Sequence, residues 1–172
     1  MNKSSVKVGD DAPLFKIESY NAGIVDLKEM IGNQKIVIIF SRYFGCNICQ
    51  LDMNTLLKEL NAIESKGAKI LYITQSGEKV ANEFIEKHSI TFPVIHSTKD
   101  ELYADYGLGI MTAAAASKIR EKLKEATALG IEHGEYEGWE KQGPGQFVVD
   151  EQGKIIHAEE GWLDVPALME VL

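Results

Sequence analysis

The run Ile36-Val37-Ile38-Ile39-Phe40 is apolar at every position and β-branched through its first four residues. Short uninterrupted runs of this kind belong to strands buried on both faces, so a central strand is predicted here. Past it the period changes. Met53, Leu56, Leu57, Leu60 and Ile63 recur at three- and four-residue intervals, one face of a helix, and Lys66-Gly67 supplies a stop signal. Strand and helix patterns then alternate: a strand over Lys69–Thr74, a helix over Glu78–His88, a strand over residues 93–96, and a short helix over 101–106 closed by Gly107. An Ala/Lys/Glu-rich stretch predicts one long helix over residues 113–129, capped by Gly130. A strand over 147–150, a turn at Glu151-Gln152-Gly153, a strand over 154–158 and a helix entered through Asp164 and Pro166 complete the chain. Upstream, residues 6–13 form a turn-rich entry. Phe15-Lys16-Ile17 and Ile24-Val25 read as a short hairpin across Asn21-Ala22-Gly23.

This alternation is that of an α/β protein. At 172 residues and 45% apolar content, with no repeat or linker, residues 1–172 are expected to form a single domain. A net charge of −8 without a basic cluster argues against nucleic acid or an anionic membrane as partner. No run approaches the ~20 apolar residues of a membrane span. Met1-Asn2-Lys3-Ser4-Ser5 leads into polar sequence with no apolar segment of a signal peptide, so a cytoplasmic location is expected.

The chemistry lies in the two cysteines, Cys46 and Cys49, placed where the buried strand hands over to the helix. Residues three apart share a helix face, which brings both sulfurs to one helix start. The unpaired N–H groups and partial positive charge there lower a thiol's pKa and favour the nucleophilic thiolate. The pattern is that of a redox pair. Zinc fits poorly: a structural site wants four ligands, and His88, His96, His133 and His157 stand isolated, so no metal and no cofactor are expected. Arg42, four residues before Cys46, admits two readings: a cation steadying a thiolate, or a solvated strand-end residue.

Several segments resemble peroxiredoxins of the alkyl hydroperoxide reductase / thiol-specific antioxidant group. These are Val8-Gly9-Asp10-Asp11-Ala12-Pro13-Leu14-Phe15, Thr91-Phe92-Pro93-Val94 and Tyr103-Ala104-Asp105-Tyr106-Gly107-Leu108. The stretch from Arg42 to Cys49, followed by Gln142-Gly143-Pro144-Gly145-Gln146-Phe147, is similar to the peroxiredoxin-like branch. The resemblance implies a thioredoxin-like fold: a mixed central sheet with Ile36–Phe40 central, residues 147–150 antiparallel to it, helices on both faces, and a peroxiredoxin-type N-terminal hairpin extension. The departures are informative too. Registered on the central strand, the peroxiredoxin proline falls on Arg42, its threonine on Cys46, its peroxidatic cysteine on Cys49 and its later arginine on Pro144. In thioredoxin-like oxidoreductases the Pro144 position holds a cis-proline facing a Cys-x-x-Cys. The resemblance therefore implies a cis Gly143-Pro144 bond, available to X–Pro at about 0.5–1 kcal/mol. Gly143 would then turn outward to receive a substrate polypeptide as a short added strand.

Cys46, nearer the helix end and solvent, is expected to attack and Cys49, shielded by the first turn, to resolve. Three functions stay open at this point. A dithiol–disulfide oxidoreductase explains the cysteine pair with Pro144. A peroxidase would reduce hydroperoxides through Cys49, with Cys46 resolving. A redox-sensing binding domain would oxidise without turnover. The corresponding partners are a disulfide-containing protein or small thiol, or a hydroperoxide, with a thioredoxin-type protein as reductant; the resemblance also admits a homodimer. Tyr43, Tyr136 and Trp139 are candidates for either the core or the substrate approach. The acidic stretch 132–140 reads as a flexible loop, and segment 112–142 carries no legible role.

Overall fold

The structure, a computed structural model, describes residues 5–172; most of the leader reading rests on Met1 to Ser4, which lie outside the described residues. β1 (Lys16–Glu18) and β2 (Ile24–Asp26) pair antiparallel as a separate hairpin, and α1 (Leu27–Met30) follows directly. The chain then runs through β3 (Ile36–Phe40), α2 (Asn47–Ser65), β4 (Lys69–Thr74), α3 (Glu78–His88), β5 (Val94–His96) and α4 (Leu102–Asp105). It continues through α5 (Ala113–Ser117), α6 (Ile119–Ala128), β6 (Gly145–Val149), β7 (Ile155–Glu159) and α7 (Val165–Val171). The main sheet has the order β5-β4-β3-β6-β7. β4 lies parallel to β3, β5 parallel to β4, and β6 antiparallel to both β3 and β7. This is the mixed thioredoxin-like sheet expected, with β3 at its centre.

All five residues of β3 are buried, and its two-residue period sorts them between two cores. Val37 and Ile39 pack with Leu56 and Ile63 of α2, Val80 and Ala81 of α3, and Leu168 of α7. Ile36, Ile38 and Phe40 pack on the opposite face with Val25 of β2, Leu27 of α1, and Leu102, Tyr103 and Tyr106 in and after α4. Helices therefore cover both faces.

The link from β3 to α2 is pinned from beneath. The buried Tyr103 hydroxyl donates to Ser41 O (2.6 Å), Gln75 N–H donates to Arg42 O (2.7 Å), and Phe44 N–H donates to Ser76 Oγ (2.8 Å). α2 ends where Gly67 takes a φ of +83°, a conformation that suits glycine.

Two elements differ from expectation. The one-turn α1 has too few residues to show a period; its signal is the cap, Asp26, whose carboxylate accepts from Lys28 N–H. The helix expected over 113–129 is split at Lys118 into α5 and α6. Trp162 Nε1 donates to Ala115 O (2.9 Å), and Lys118 N–H takes the same carbonyl from three residues on (3.1 Å), tightening the turn. Tertiary contact overrides helix propensity there.

α7 is entered as the sequence indicates, with Asp164 Oδ1 accepting from Ala167 N–H (3.0 Å). Asp164→Ala is expected to cost about 1 kcal/mol of folding stability, read as a lower urea midpoint at unchanged slope. An unmoved midpoint would show that the cap contributes nothing.

Candidate active site

Cys46 is the N-cap of α2. Its backbone is extended, and its Sγ accepts a hydrogen bond from Cys49 N–H at 3.3 Å, filling the place an oxygen takes in ordinary caps. Arg42 Nη1 donates to the same sulfur at 3.7 Å. Both cysteines are free thiols.

The two sulfurs are electrostatically unlike. Donation from the Cys49 thiol lowers Cys46 most; burial opposes it, and Cys49 N–H, the Arg42 guanidinium and Ile48 N–H then lower it further, to about 7. Cys49 is pushed well above the ordinary thiol value, first by burial and then by its bond to Cys46. Near neutral pH Cys46 is therefore the sulfur that ionises first, and Cys49 keeps its proton.

The reason for that difference is not the one expected from sequence. Cys46 is 2% exposed and Cys49 4%, so solvent access does not separate them. Donors do: the Cys49 thiol, the helix-start N–H groups and the guanidinium offset the cost of burial at Cys46, whereas at Cys49 that cost is the largest influence.

Arg42 takes the thiolate-steadying place. Its side chain is 11% exposed, and besides Cys46 it holds Glu140, donating through Nη2 to the Glu140 carbonyl (2.6 Å) and carboxylate (3.3 Å). Pro144 is brought to Cys49. It lines, with Cys49, Ser41, Asp52, Tyr72 and Gly145, a cavity of about 20 Å³, the room of a single water molecule. The Gly143-Pro144 bond, however, is trans. Gly143 does not turn outward: its N–H donates to Gly109 O (2.9 Å) and its carbonyl accepts from Gln142 Nε2 (3.0 Å). Both groups that strand addition would use are taken, which corrects the role expected for Gly143.

Asp52, which sequence reasoning missed, faces the cavity beside Cys49. Burial raises its pKa, against the pull of Lys122 on α6 at 2.7 Å. Nothing short of the fold reveals this pairing, because the partners are 70 residues apart.

The acidic stretch crosses over the site. Gly134 N–H donates to Gly45 O (2.8 Å), and a side chain on Gly45 would run into the Glu135 backbone. The buried Tyr43 hydroxyl meets His133 Nε2 (3.2 Å); its pKa is raised, chiefly by burial and then by its hydrogen bond to Glu140. Tyr136 stacks on His133 with 4.0 Å between ring centroids, its own ring open to solvent, and Trp139 is half-buried beneath Lys99. Of the candidate aromatics, Tyr43 alone belongs to the core around the cysteines, together with Ile48, Ala115 and Trp162. Among the described residues no group of three or more His, Cys, Asp or Glu is placed to hold a metal ion, and no helix is long and apolar enough to cross a membrane.

A five-stranded mixed sheet with a Cys-x-x-Cys at the start of the helix after its central strand defines a thioredoxin-fold protein carrying a dithiol pair. Residues 8–158 match the model of the AhpC/TSA family, and the chain belongs to that family. It is similar to the thiol-disulfide oxidoreductase ResA of Oceanobacillus iheyensis, 25% identical over 77% of this chain and 71% of that one. It is also similar to a prostamide/prostaglandin F synthase of Salmo salar, 26% identical over 81% and 72%. Among solved structures it resembles the reduced 2-Cys peroxiredoxin of Plasmodium vivax, with a TM-score of 0.69 at 15% identity, covering 95% of this chain and 93% of that one.

Proposed function

We propose that the protein is a thiol–disulfide oxidoreductase in which Cys46 attacks and Cys49 resolves. The observation that carries this reading is the pair of donors on Cys46 Sγ, Cys49 N–H and Arg42 Nη1, which hold a thiolate at the helix start. The Cys46 thiolate attacks one sulfur of the substrate disulfide, forming a mixed disulfide and expelling the other sulfur as a thiolate. Cys49 then gives up its proton, for which the Asp52 carboxylate on the same cavity is the base at hand. The Cys49 thiolate attacks the Cys46 sulfur, closes the Cys46–Cys49 disulfide and releases the second substrate thiolate. Two electrons pass from the dithiol to the substrate. A thioredoxin-type protein in the cytoplasm would return them, and the domain comprising residues 1–172 is the unit that does this work.

Peroxide reduction starting at Cys49 has less support. That reaction needs a thiolate on the attacking sulfur, and Cys49 is the one held protonated.

The test is a trap. Cys49→Ser, exposed to a disulfide-bonded peptide, is expected to accumulate a mixed disulfide through Cys46, since nothing remains to resolve it. Intact-mass measurement and peptide mapping read this directly. An adduct on Cys49 in the Cys46→Ser variant, with none on Cys46 in the Cys49→Ser variant, would reverse the roles.

A further inference from the structure

Both sulfurs are buried, yet exchange requires an incoming sulfur in line with Cys46 Sγ. Something over the pair has to move. Around Cys46 stand Tyr43, α5, Trp162 and segment 131–141. Of these the segment lacks helix and strand over 131–139 and exposes most of its residues. It is held mainly by polar contacts: Ile131 N–H to Ala126 O and Met111 N–H to Lys141 O at its ends, and between them Gln50 Nε2 to Glu132 O (3.0 Å), the Tyr43 hydroxyl with His133, Gly134 N–H to Gly45 O, Gly77 N–H to the Glu137 carboxylate (2.7 Å), Trp139 N–H to Gln75 Oε1 (2.8 Å), and Arg42 to Glu140. A stretch with so little apolar burial belongs to the low-stability end of a fold.

We propose that residues 131–141 form a strap that a polypeptide disulfide displaces, and that Glu140 is the positioning residue linking displacement to reactivity, because it holds the guanidinium that Cys46 also uses. The strap itself indicates the occupant. Its backbone satisfies Gly45 O with an N–H, and its carboxylate satisfies Gly77 N–H. A docked extended chain brings N–H and C=O groups that replace both; a peroxide or small thiol brings neither as a set. Once Glu140 has left, Arg42 faces Cys46 without a competing carboxylate. The other titratable groups interacting with the sulfur are Tyr43, Cys49 and the buried Tyr72, with His133 reached through Tyr43; α5 contributes only Ala115, and Trp162 its indole.

This inference rests on the dithiol mechanism above. Its test uses the reduced full-length protein and two variants. Glu140→Gln keeps the length and removes the charge. Gly45→Ala leaves every charge in place but pushes the strap off, since the added methyl meets the Glu135 backbone. Thiolate absorbance followed against pH gives the Cys46 midpoint; rates are measured with a disulfide-bonded peptide and with iodoacetamide, compared at equal thiolate fraction. In both variants the midpoint is expected to fall by roughly half a pH unit as a carboxylate leaves the sulfur's surroundings. The peptide rate is expected to rise about fivefold, the worth of one ordinary hydrogen bond, with iodoacetamide changing less. If Glu140 merely props the loop, melting shifts while the midpoint stays, and the proposal is overturned. An unchanged peptide rate, or equal gains with both reagents, overturns it too. Failure of the underlying mechanism looks different: no mixed disulfide forms on Cys46 in any of the three proteins.

Discussion

Cys46→Ser is expected to abolish disulfide exchange, by on the order of 10⁴-fold or more, because a serine hydroxyl at neutral pH is neither ionised nor able to form a disulfide. The fold should survive the change. Serine is among the preferred N-cap residues, and its Oγ can accept the Cys49 N–H bond that Sγ now takes. An unmoved melting temperature alongside lost turnover would therefore isolate the chemistry from the scaffold. The wild-type rate should carry the signature of the same thiolate. Below about 7, where Cys46 is protonated, reaction slows with falling pH, tenfold for each unit, and above it the rate levels off. Reduction of a small aromatic disulfide by the wild type, followed across pH, reads both limbs. A Cys46→Ser protein that still consumes peroxide would move the attacking role to Cys49.

Phe40→Ala should be the most damaging single change in the core, at about 3–5 kcal/mol. Phe40 ends β3 and is 1% exposed. Its ring meets Tyr103 and Tyr106 at 5.1 Å and Phe147 at 5.7 Å, so its removal opens a void among three rings that cannot all close in. Against a total stability of about 5–15 kcal/mol that is a large share. Urea unfolding would register it as a midpoint shift, and a loss under about 1 kcal/mol would mean the rings repack over the gap. Exchange activity should fall with it, because Ser41, next in the chain, is held by the same Tyr103 that packs on Phe40.

What the sequence revealed, and what it hid, divides by range. β3 and the apolar face of α2 are legible because five consecutive apolar residues, and a row at three- and four-residue spacing, admit one reading each. The cysteine pair was legible because its chemistry is carried by spacing alone. The hairpin was legible from the Asn21-Ala22-Gly23 turn, whereas the antiparallel pairing of the strand at residues 147–150 with β3 came through family resemblance, not through periodicity. Contacts made across the chain were not legible. Nothing in residues 113–129 announces that Trp162 will claim the Ala115 carbonyl and break the helix. Nothing near Gly134 points to Gly45, and nothing near Asp52 points to Lys122. Gly143 shows the hazard of borrowing from relatives: a glycine before a proline suggested an exposed edge, whereas Gln142, fully buried, ties its carbonyl inward. Solvent exposure, from which the sulfurs' roles were assigned, does not tell them apart in the fold, because both are buried among Tyr43, Ile48, Ala115 and Trp162.

The central position of β3 has a consequence in time as well as in space. Its amides and carbonyls are bonded to β4 on one side and β6 on the other, with no residue open to water. Such amides exchange their hydrogens with solvent only when the whole sheet comes apart, the slowest event the molecule undergoes. The amide of Gly134, held by one bond in an exposed stretch, exchanges on the far shorter clock of local opening. The Cys46 sulfur thus hangs from a slowly exchanging strand while the neighbouring segment 131–141 opens on a far shorter clock, and the site can open many times over without its geometry ever being rebuilt.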